Sequence, residues 1–438
     1  MSLGLTVGLI TIAAFFVLLF MGVSVTVSMM ICSVVGTSFL LGSPISALNV
    51  LSDGVHNSFT SYVTSVAPMF ILMGELASES KIGSDLFDCM QKLTGHRKAG
   101  LANACQVGCA IFGAICGSTT ATGAMMSRVA YPQMKRYHYS DELSTGCIAS
   151  GACLAALIPP SLHLITYGIV AEESISRLLL AGIITGIVLM LLFIITIKIW
   201  TLINPSVAPE KQAKLPLKER FQAIRHGGLI EIALVFIVAM GGMFAGWFTP
   251  TEAGSVGFFG MLLVSIIFKR FTFPVLKKAV VNTMVMSGMI YCLIAGASCF
   301  GKFFTLSRIP SMLGNLVANL NVPTVVIVLA LTLIYLVMGC FIEAVPIILL
   351  TTPVFLPVVT SIGLSPLWFG CYLVVVVGMG GVTPPVGLSC YVVSGTTGVK
   401  LQTAFKGAIP FLLAYIAMTV LMTLVPGIAT WLPSVIMK

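Results

Sequence analysis

The sequence predicts an all-α membrane protein built from two inverted repeats, each with a re-entrant helical hairpin and a broken helix. Three observations carry this. The 438 residues are 58% hydrophobic and only 8% charged, against about 25% charged in an ordinary soluble domain. Two apolar stretches, one per half, are broken at their centres by small or polar residues. The proline and glycine punctuation of one half recurs in the other at a fixed spacing.

So few charges cannot cover a globule in water, so the solvent of this chain is largely lipid. Its length suits roughly ten crossings of about 20 residues each. The net charge of +9 sits in short connectors between apolar runs, where it sets topology. It forms no groove or stripe for phosphates, so no nucleic-acid partner is expected. Twelve cysteines are scattered along the chain, most inside apolar runs, with no CxxC pair and no Cys/His cluster. They read as small buried residues rather than metal ligands or disulfides. Leu3 to Phe20 lacks a basic leader and a cleavage site, and is expected to stay as a helix.

In chain order, Leu3 to Leu41 is too long for one crossing and should bend at Met21 and Gly22. The polar stretch Asn49 to Ser61, with Asp53, His56 and Asn57, is expected at the membrane interface. Val63 to Leu76 crosses. Gly100 to Met134 is rich in Gly, Ala, Ser and Thr and breaks at Gly117-Ser118-Thr119-Thr120. Arg97 and Lys98 precede it; Lys135 and Arg136 follow it. Basic flanks at both ends predict two half-length helices returning to the cytoplasmic face; the plainer alternative is one close-packed helix. Leu143 to Leu164, interrupted by Pro159-Pro160, crosses outward, and Ile175 to Trp200 crosses back. The loop Asn204 to His226 is the most polar of the chain and should be cytoplasmic.

The second half opens with Leu229 to Phe248 and Gly254 to Phe268, joined by the turn FTPTEAG, where Glu252 reads as a capping acid beside Thr251. Val280 to Phe300 crosses outward. Pro323 to Pro357 repeats the texture of the first hairpin, with its break at Glu343-Ala344-Val345-Pro346. Leu367 to Pro385 is interrupted by Pro384-Pro385, and Phe405 to Leu432 crosses last.

The halves share a register. Pro132 and Pro357 are 225 positions apart, as are Ser140 and Ser365, Pro159 and Pro384, Pro160 and Pro385, and Gly182 and Gly407. Upstream, Gly74 and Gly301, and Ile82 and Ile309, match at 227. Counting crossings from the basic loops puts the two hairpins on opposite faces and both termini outside. Inverted repeats with broken helices meeting in mid-membrane mark secondary transporters.

Unwound backbone supplies carbonyls to a cation, and helix N-termini supply N–H groups to a carboxylate. The candidate parts occur twice. Gly117, Ser118, Thr119 and Thr120 lie beside the break Ile158-Pro159-Pro160-Ser161. Gly339 to Pro346 lies beside Gly378 to Val386, with Thr383 ahead of Pro384-Pro385. Glu343 is the one formally charged residue between Arg308 and Lys400. An acid there can ligate a cation, carry a proton, or hold the tip by hydrogen bonds. Arg128 can pair with an anion or snorkel to the cytoplasm, and His163 can face the cavity or be structural. Glu75, Asp85 and Asp88 are expected to be solvated at a cytoplasmic edge.

The segments FGAICGSTTATGAMMSRVAYPQM, LIPPSLHLITYGIVAEESISRLLLAGII, GWFTPTEAG, LLTTPVFLPVVTSIGLSPLWFG and VTPPVGLSCYVVSGTTGV resemble the large membrane subunit of tripartite ATP-independent periplasmic (TRAP) transporters. The resemblance runs through nearly the whole chain. It implies a multi-pass protein of the bacterial inner membrane that symports sodium with a carboxylate-bearing organic anion. It implies a small four-helix membrane subunit and a periplasmic substrate-binding protein as partners, and no cofactor beyond the coupling ion. It also implies an elevator in which a transport domain carrying both hairpins slides against a scaffold.

The division it implies is 1–61 for scaffold helices and interfacial arm, and 62–187 for the first transport repeat with hairpin 100–134. Residues 188–228 are a helix end and cytoplasmic loop, and 229–278 are scaffold. Residues 279–412 form the second transport repeat with hairpin 323–357, and 413–438 the last helix. Carried onto this sequence, sodium sites fall at Gly117, Ser118, Thr119, Ile158 and Ser161, and at Gly339, Gly380, Thr383 and Val386. Thr120, Pro160, Glu343 and Pro385 are left to touch substrate. Thr119 stands where relatives often carry a second serine, and Glu343 near where they often carry Asp. No four-helix region precedes Leu3, so a separate chain is expected to supply the small subunit. The alternatives are a carrier of a related superfamily working without a binding protein, a channel, and an intramembrane hydrolase. A channel fits poorly with two inverted hairpins in one chain. A hydrolase lacks a Ser/His, paired-acid or HExxH constellation, so no enzymatic activity is expected.

Overall fold

The computed structural model describes residues 3–80, 82–96, 98–208, 216–226, 228–319 and 322–437. Arg97 and residues 209–215 of the predicted cytoplasmic loop lie outside the described residues. The first half holds α1 (Leu3–Phe20), α2 (Val25–Leu41), α3 (Pro44–Thr60), α4 (Val66–Glu79), α5 (Ile82–Thr94), α6 (Gly100–Cys116), α7 (Thr119–Arg136), α8 (Asp141–Ala152), α9 (Leu162–Ala171) and α10 (Ile175–Ile203). The segment between the repeats holds α11 (Leu217–His226), α12 (Leu229–Phe236) running through a π-helical turn into α13 (Gly242–Phe244), and α14 (Pro250–Ile267). The second half holds α15 (Phe273–Ser307), α16 (Ile309–Asn319), α17 (Thr324–Phe341), α18 (Ala344–Ser361), α19 (Pro366–Gly380), α20 (Leu388–Thr397), α21 (Leu401–Leu424) and α22 (Gly427–Ile436). Seven of these are each long and apolar enough to cross a bilayer, or nine with two bent pairs.

The predicted register is written into the helix ends. Adding 225 to the bounds of α7, residues 119 and 136, gives 344 and 361, the bounds of α18. α6 and α17 end at residues 116 and 341, and α8 and α19 begin at 141 and 366, again 225 apart. The cause is local and repeated. Ser140 and Ser365 cap α8 and α19 alike, each hydroxyl accepting the backbone N–H of the third residue on, at 3.2 and 3.1 Å. Both Pro-Pro peptide bonds, 159–160 and 384–385, are cis.

The repeat extends to two long arms. α15 minus 227 covers residues 46–80, the span of α3 and α4 together. The first arm is bent by 50° between Thr60 and Tyr62, whereas α15 is one helix of 35 residues. They lie antiparallel, as a two-fold axis in the membrane plane requires. Gly54 meets Cys299, the Phe59 and Tyr291 rings meet at a tilt with centroids 5.5 Å apart, Glu75 accepts from Asn282 at 2.9 Å, and Glu79 pairs with Lys278 at 2.9 Å. α3 therefore runs down the side of α15, with Asp53, His56 and Asn57 exposed.

The core is α19, buried on all sides, whose Trp368, Phe369 and Tyr372 pack as an aromatic cluster with Tyr167 of α9 against Phe369. Tyr167 donates to the Pro366 carbonyl at 2.7 Å, and the Trp368 indole to that of Met422 at 2.9 Å, so the buried polar tips are satisfied. α8 and α21 pack closely because both present glycine. A Cβ on Gly146 would lie 2.0 Å from the Gly407 carbonyl oxygen.

Several expectations are corrected. The hairpin limbs are 17 or 18 residues each, about 26 Å, rather than half-length. The second tip breaks at Ile342 and Glu343, while Ala344, Val345 and Pro346 already form the first turn of α18, where a proline is tolerated. The last run is two helices parted at Val425-Pro426. Glu252 of FTPTEAG is the capping acid expected, closing a capping box with Thr249 at the start of α14. Glu75 and Asp85 are not free in solvent: Asp85 pairs with Arg270 at 2.5 Å. Apart from these corrections, the division points 187/188, 278/279 and 412/413 that the resemblance implies lie within α10, α15 and α21, and 61/62 lies at the arm's bend.

Candidate functional site

At the first tip, α6 stops on Gly117, whose φ of +60 suits glycine. Ser118 then caps α7, accepting the Ala121 N–H at 3.3 Å and lying 3.1 Å from the Thr120 hydroxyl. The tip rests on the first break. A Cβ at Gly117 would come within 2.2 Å of the Pro160 carbonyl oxygen, so no other residue fits without separating the two. At the second tip, Gly339 and Gly380 meet backbone to backbone, and a Cβ on Gly380 would lie 2.6 Å from the Gly339 Cα. Each hairpin thus leans on the broken helix of its own repeat through glycine.

The breaks also touch each other. The Cys153 thiol lies 3.8 Å from the Gly378 carbonyl and 3.4 Å from the Ser389 hydroxyl. Cys153 and Gly378 are 225 apart, so they sit beside the pseudo-two-fold axis. Around them lies a cavity of about 30 Å³, lined from both tips and both breaks. Four helix N-termini converge on it: Thr119 opens α7, His163 is second in α9, Ala344 opens α18, and Ser389 is second in α20. The C-terminal ends of α17 and α19 face it as well, at Gly339, Val377 and Gly378. N-termini favour anions and C-terminal carbonyls favour cations, so one small space offers both. Its volume is close to that of one water, room for an ion but not for an organic acid.

Comparison with known proteins decides the family. Residues 12–428 match the model described as "Tripartite ATP-independent periplasmic transporter, DctM component". The chain belongs to this family. It is a TRAP transporter subunit, a multi-pass membrane protein and not an enzyme. It is 28% identical over 400 residues to the C4-dicarboxylate TRAP transporter large permease protein DctM of Pseudomonas aeruginosa, covering 91% of this chain and 92% of that one. It is 26% identical over 410 residues to the 2,3-diketo-L-gulonate TRAP transporter large permease protein YiaN of Escherichia coli, covering 93% and 94%. Among solved structures, the Alcanivorax borkumensis YdaH transporter shares the fold with a TM-score of 0.62 at 15% identity, covering 88% of this chain and 90% of that one.

In this TRAP subunit the residues expected at the site divide. Thr119, Gly339 and Glu343 line the central cavity. Gly117, Pro160 and Gly380 are the backbone contacts beneath it, with Ser118 and Thr120 in the tip above. Ser161 is buried, its hydroxyl bonded to the Ala156 carbonyl while it accepts the Leu164 N–H at 3.1 Å. Ile158 packs on Gly186 of α10. Thr383 is elsewhere. It gives its proton to the Met379 carbonyl at 2.7 Å and faces an apolar groove between α17 and α21. Pro385 and Val386 are exposed beyond the break. Glu343 makes no side-chain bond to its own helix end, so among the described residues the tip is not held by it. Arg128 is exposed and does not line the cavity.

The residues that motif reading passed over are Cys153 and Ser389. The 225 register pairs Cys153 with Gly378, which is the signal in the sequence that places Cys153 at the axis. His163 is resolved in favour of the cavity: it is 6% exposed, lines the wall, and its Nδ1 has no hydrogen-bond partner.

Proposed function

We propose that this chain carries out sodium-coupled symport of a carboxylate-bearing organic anion. It would receive the anion from a periplasmic binding protein and work beside a small membrane subunit. The observation that carries this is the convergence of four helix N-termini and two helix C-terminal ends on one cavity, with Glu343 as its acid. An anion and a cation stabilise each other there, so each binds more tightly when the other is present. Sodium would take carbonyls at the ends of α17 and α19 with the hydroxyls of Thr119 and Ser389. The carboxylate would take freed N–H groups of α7, α9, α18 and α20, with His163 Nδ1 beside them.

The cavity is too small for the substrate while both tips are seated, so loading requires a tip to lift. The loaded core, α5 to α9 with α16 to α20, then moves along the arms as an elevator. The named relatives act on a C4-dicarboxylate and a diketo-gulonate, both carboxylates, which supports the substrate class.

The test is uptake into proteoliposomes holding this chain and the small subunit, with the binding protein outside. Screened radiolabelled organic acids should accumulate only with an inward sodium gradient and the binding protein present. Uptake by this chain alone would instead establish the stand-alone carrier, and uptake indifferent to sodium would sink the coupling.

A further inference from the structure

We infer that the large cavity between the arms and the core is an outer vestibule that selects anions, with Lys302 as its cationic anchor. This rests on the reading of the chain as an anion transporter and names where the anion is first held.

The cavity has a volume of about 650 Å³, within the ~300–1,000 Å³ of small-molecule sites. Its walls are the bend of the first arm, the last turns of α15, the end of α9 and Pro353 of α18. Unlike the apolar groove beside Thr383, it is rich in polar groups, among them Asn57, Ser61, Thr64, Ser298 and Lys302.

Which face it opens on follows from α15. Lys277 and Lys278 mark the cytoplasmic start of that helix. Lys302 lies 24 residues on, about 36 Å along the axis, more than the ~30 Å hydrocarbon core.

The cavity is also where the two-fold symmetry fails. On the first arm, Gly74 is pressed on the tip, with a Cβ there only 2.6 Å from the Cys116 Cα. Its partner at 227, Gly301, lines the cavity instead. Phe341, which holds the place of Cys116 in the second hairpin, is 60% exposed where Cys116 is 5% exposed. One arm is sealed against its tip and the other is open, so the space lies on the route to the second tip.

Lys302 is half-buried in the wall and makes no ion pair among the described residues. Glu172, exposed at the rim, is the other charge lining the cavity. A cation in a partly dehydrated wall and an acid out in solvent leave the interior positive, because solvent screens the acid more.

The experiment reads the vestibule without transport, so it and the sodium-driven uptake above fail independently. Cys292 is the exposed one of the twelve cysteines and is replaced by Ala. Ser298→Cys then places a thiol one helical turn before Lys302, on the same face. The full chain in right-side-out vesicles is labelled with membrane-impermeant methanethiosulfonates, one bearing a sulfonate and one a trimethylammonium.

The sulfonate should react faster from outside. Lys302→Gln should lower the sulfonate-to-ammonium rate ratio about tenfold, the effect of one charge about 6 Å away in water on reagents of opposite sign. Lys302→Arg should keep the ratio, and Glu172→Gln should raise it. A ratio unmoved by Lys302→Gln, or a thiol reached only from the inner face, overturns the proposal.

Discussion

Single glycines decide where this chain can break. Gly117 must be glycine twice over, for its positive φ and for the Pro160 carbonyl against its Cα. Gly117→Ala should therefore cut uptake at least tenfold while the protein still inserts, read as initial rate per molecule in vesicles. A milder change at the cavity separates roles. Ser389→Ala removes a hydroxyl from the wall without touching a tip. The sodium concentration for half-maximal uptake should rise several-fold with the maximal rate nearly kept; no change would remove Ser389 from the ion site. His163→Leu keeps the side-chain volume roughly but loses the unpaired nitrogen. The expected result is a raised substrate KM with sodium dependence unaltered.

Between elements, the two arms are held by charge at the end away from the vestibule. Glu79 of α4 pairs with Lys278 of α15, and beside the arms Asp85 of α5 pairs with Arg270 in the turn before α15. The Glu79–Lys278 pair has a Lys side chain 63% exposed, so its direct worth is about 0.5 kcal/mol. Reversing one charge, as in Glu79→Lys, should lower the thermal midpoint slightly, and adding Lys278→Glu should restore it. A double-mutant cycle on detergent-purified protein measures that coupling, and a cycle showing none would make the contact incidental. The arms themselves show how equal sequence positions give unequal elements. The α15 span continues through the point where α3 and α4 are parted by an extended Ser61, so one arm is a rod and its mate an elbow.

For the whole molecule, the inverted repeat makes a topological prediction. Lys135 and Thr360 are equivalent at 225 and both exposed, one at the end of each hairpin. Lys135→Cys should react with a hydrophilic maleimide only from the cytoplasmic face, and Thr360→Cys only from the outer face. Labelling of both from one side would end the inverted arrangement.

Much of this was legible in the sequence. Composition requires lipid as solvent, because too few polar groups exist to face water. Caps, glycines and Pro-Pro pairs are read locally, by the backbone within three or four residues, so their repetition at 225 fixed the helix ends of both halves. The facing of side chains was not legible. α19 is apolar all round, and a helix with no polar stripe carries no mark of which side turns inward. Hence Thr383, beside Pro-Pro in sequence, turns to an apolar groove, while Cys153 and Ser389 meet at the axis. The asymmetry between the arms was equally hidden. Near-identical punctuation predicts two equal halves, and only the packing of Gly74 on one tip, with Gly301 left open, made them different. The sequence by itself determined a membrane-embedded pair of inverted repeats with four breaks. The tertiary structure alone decided which atoms those breaks bring together, because that depends on contacts between segments well separated in the chain, from each tip to its own break and from one break to the other.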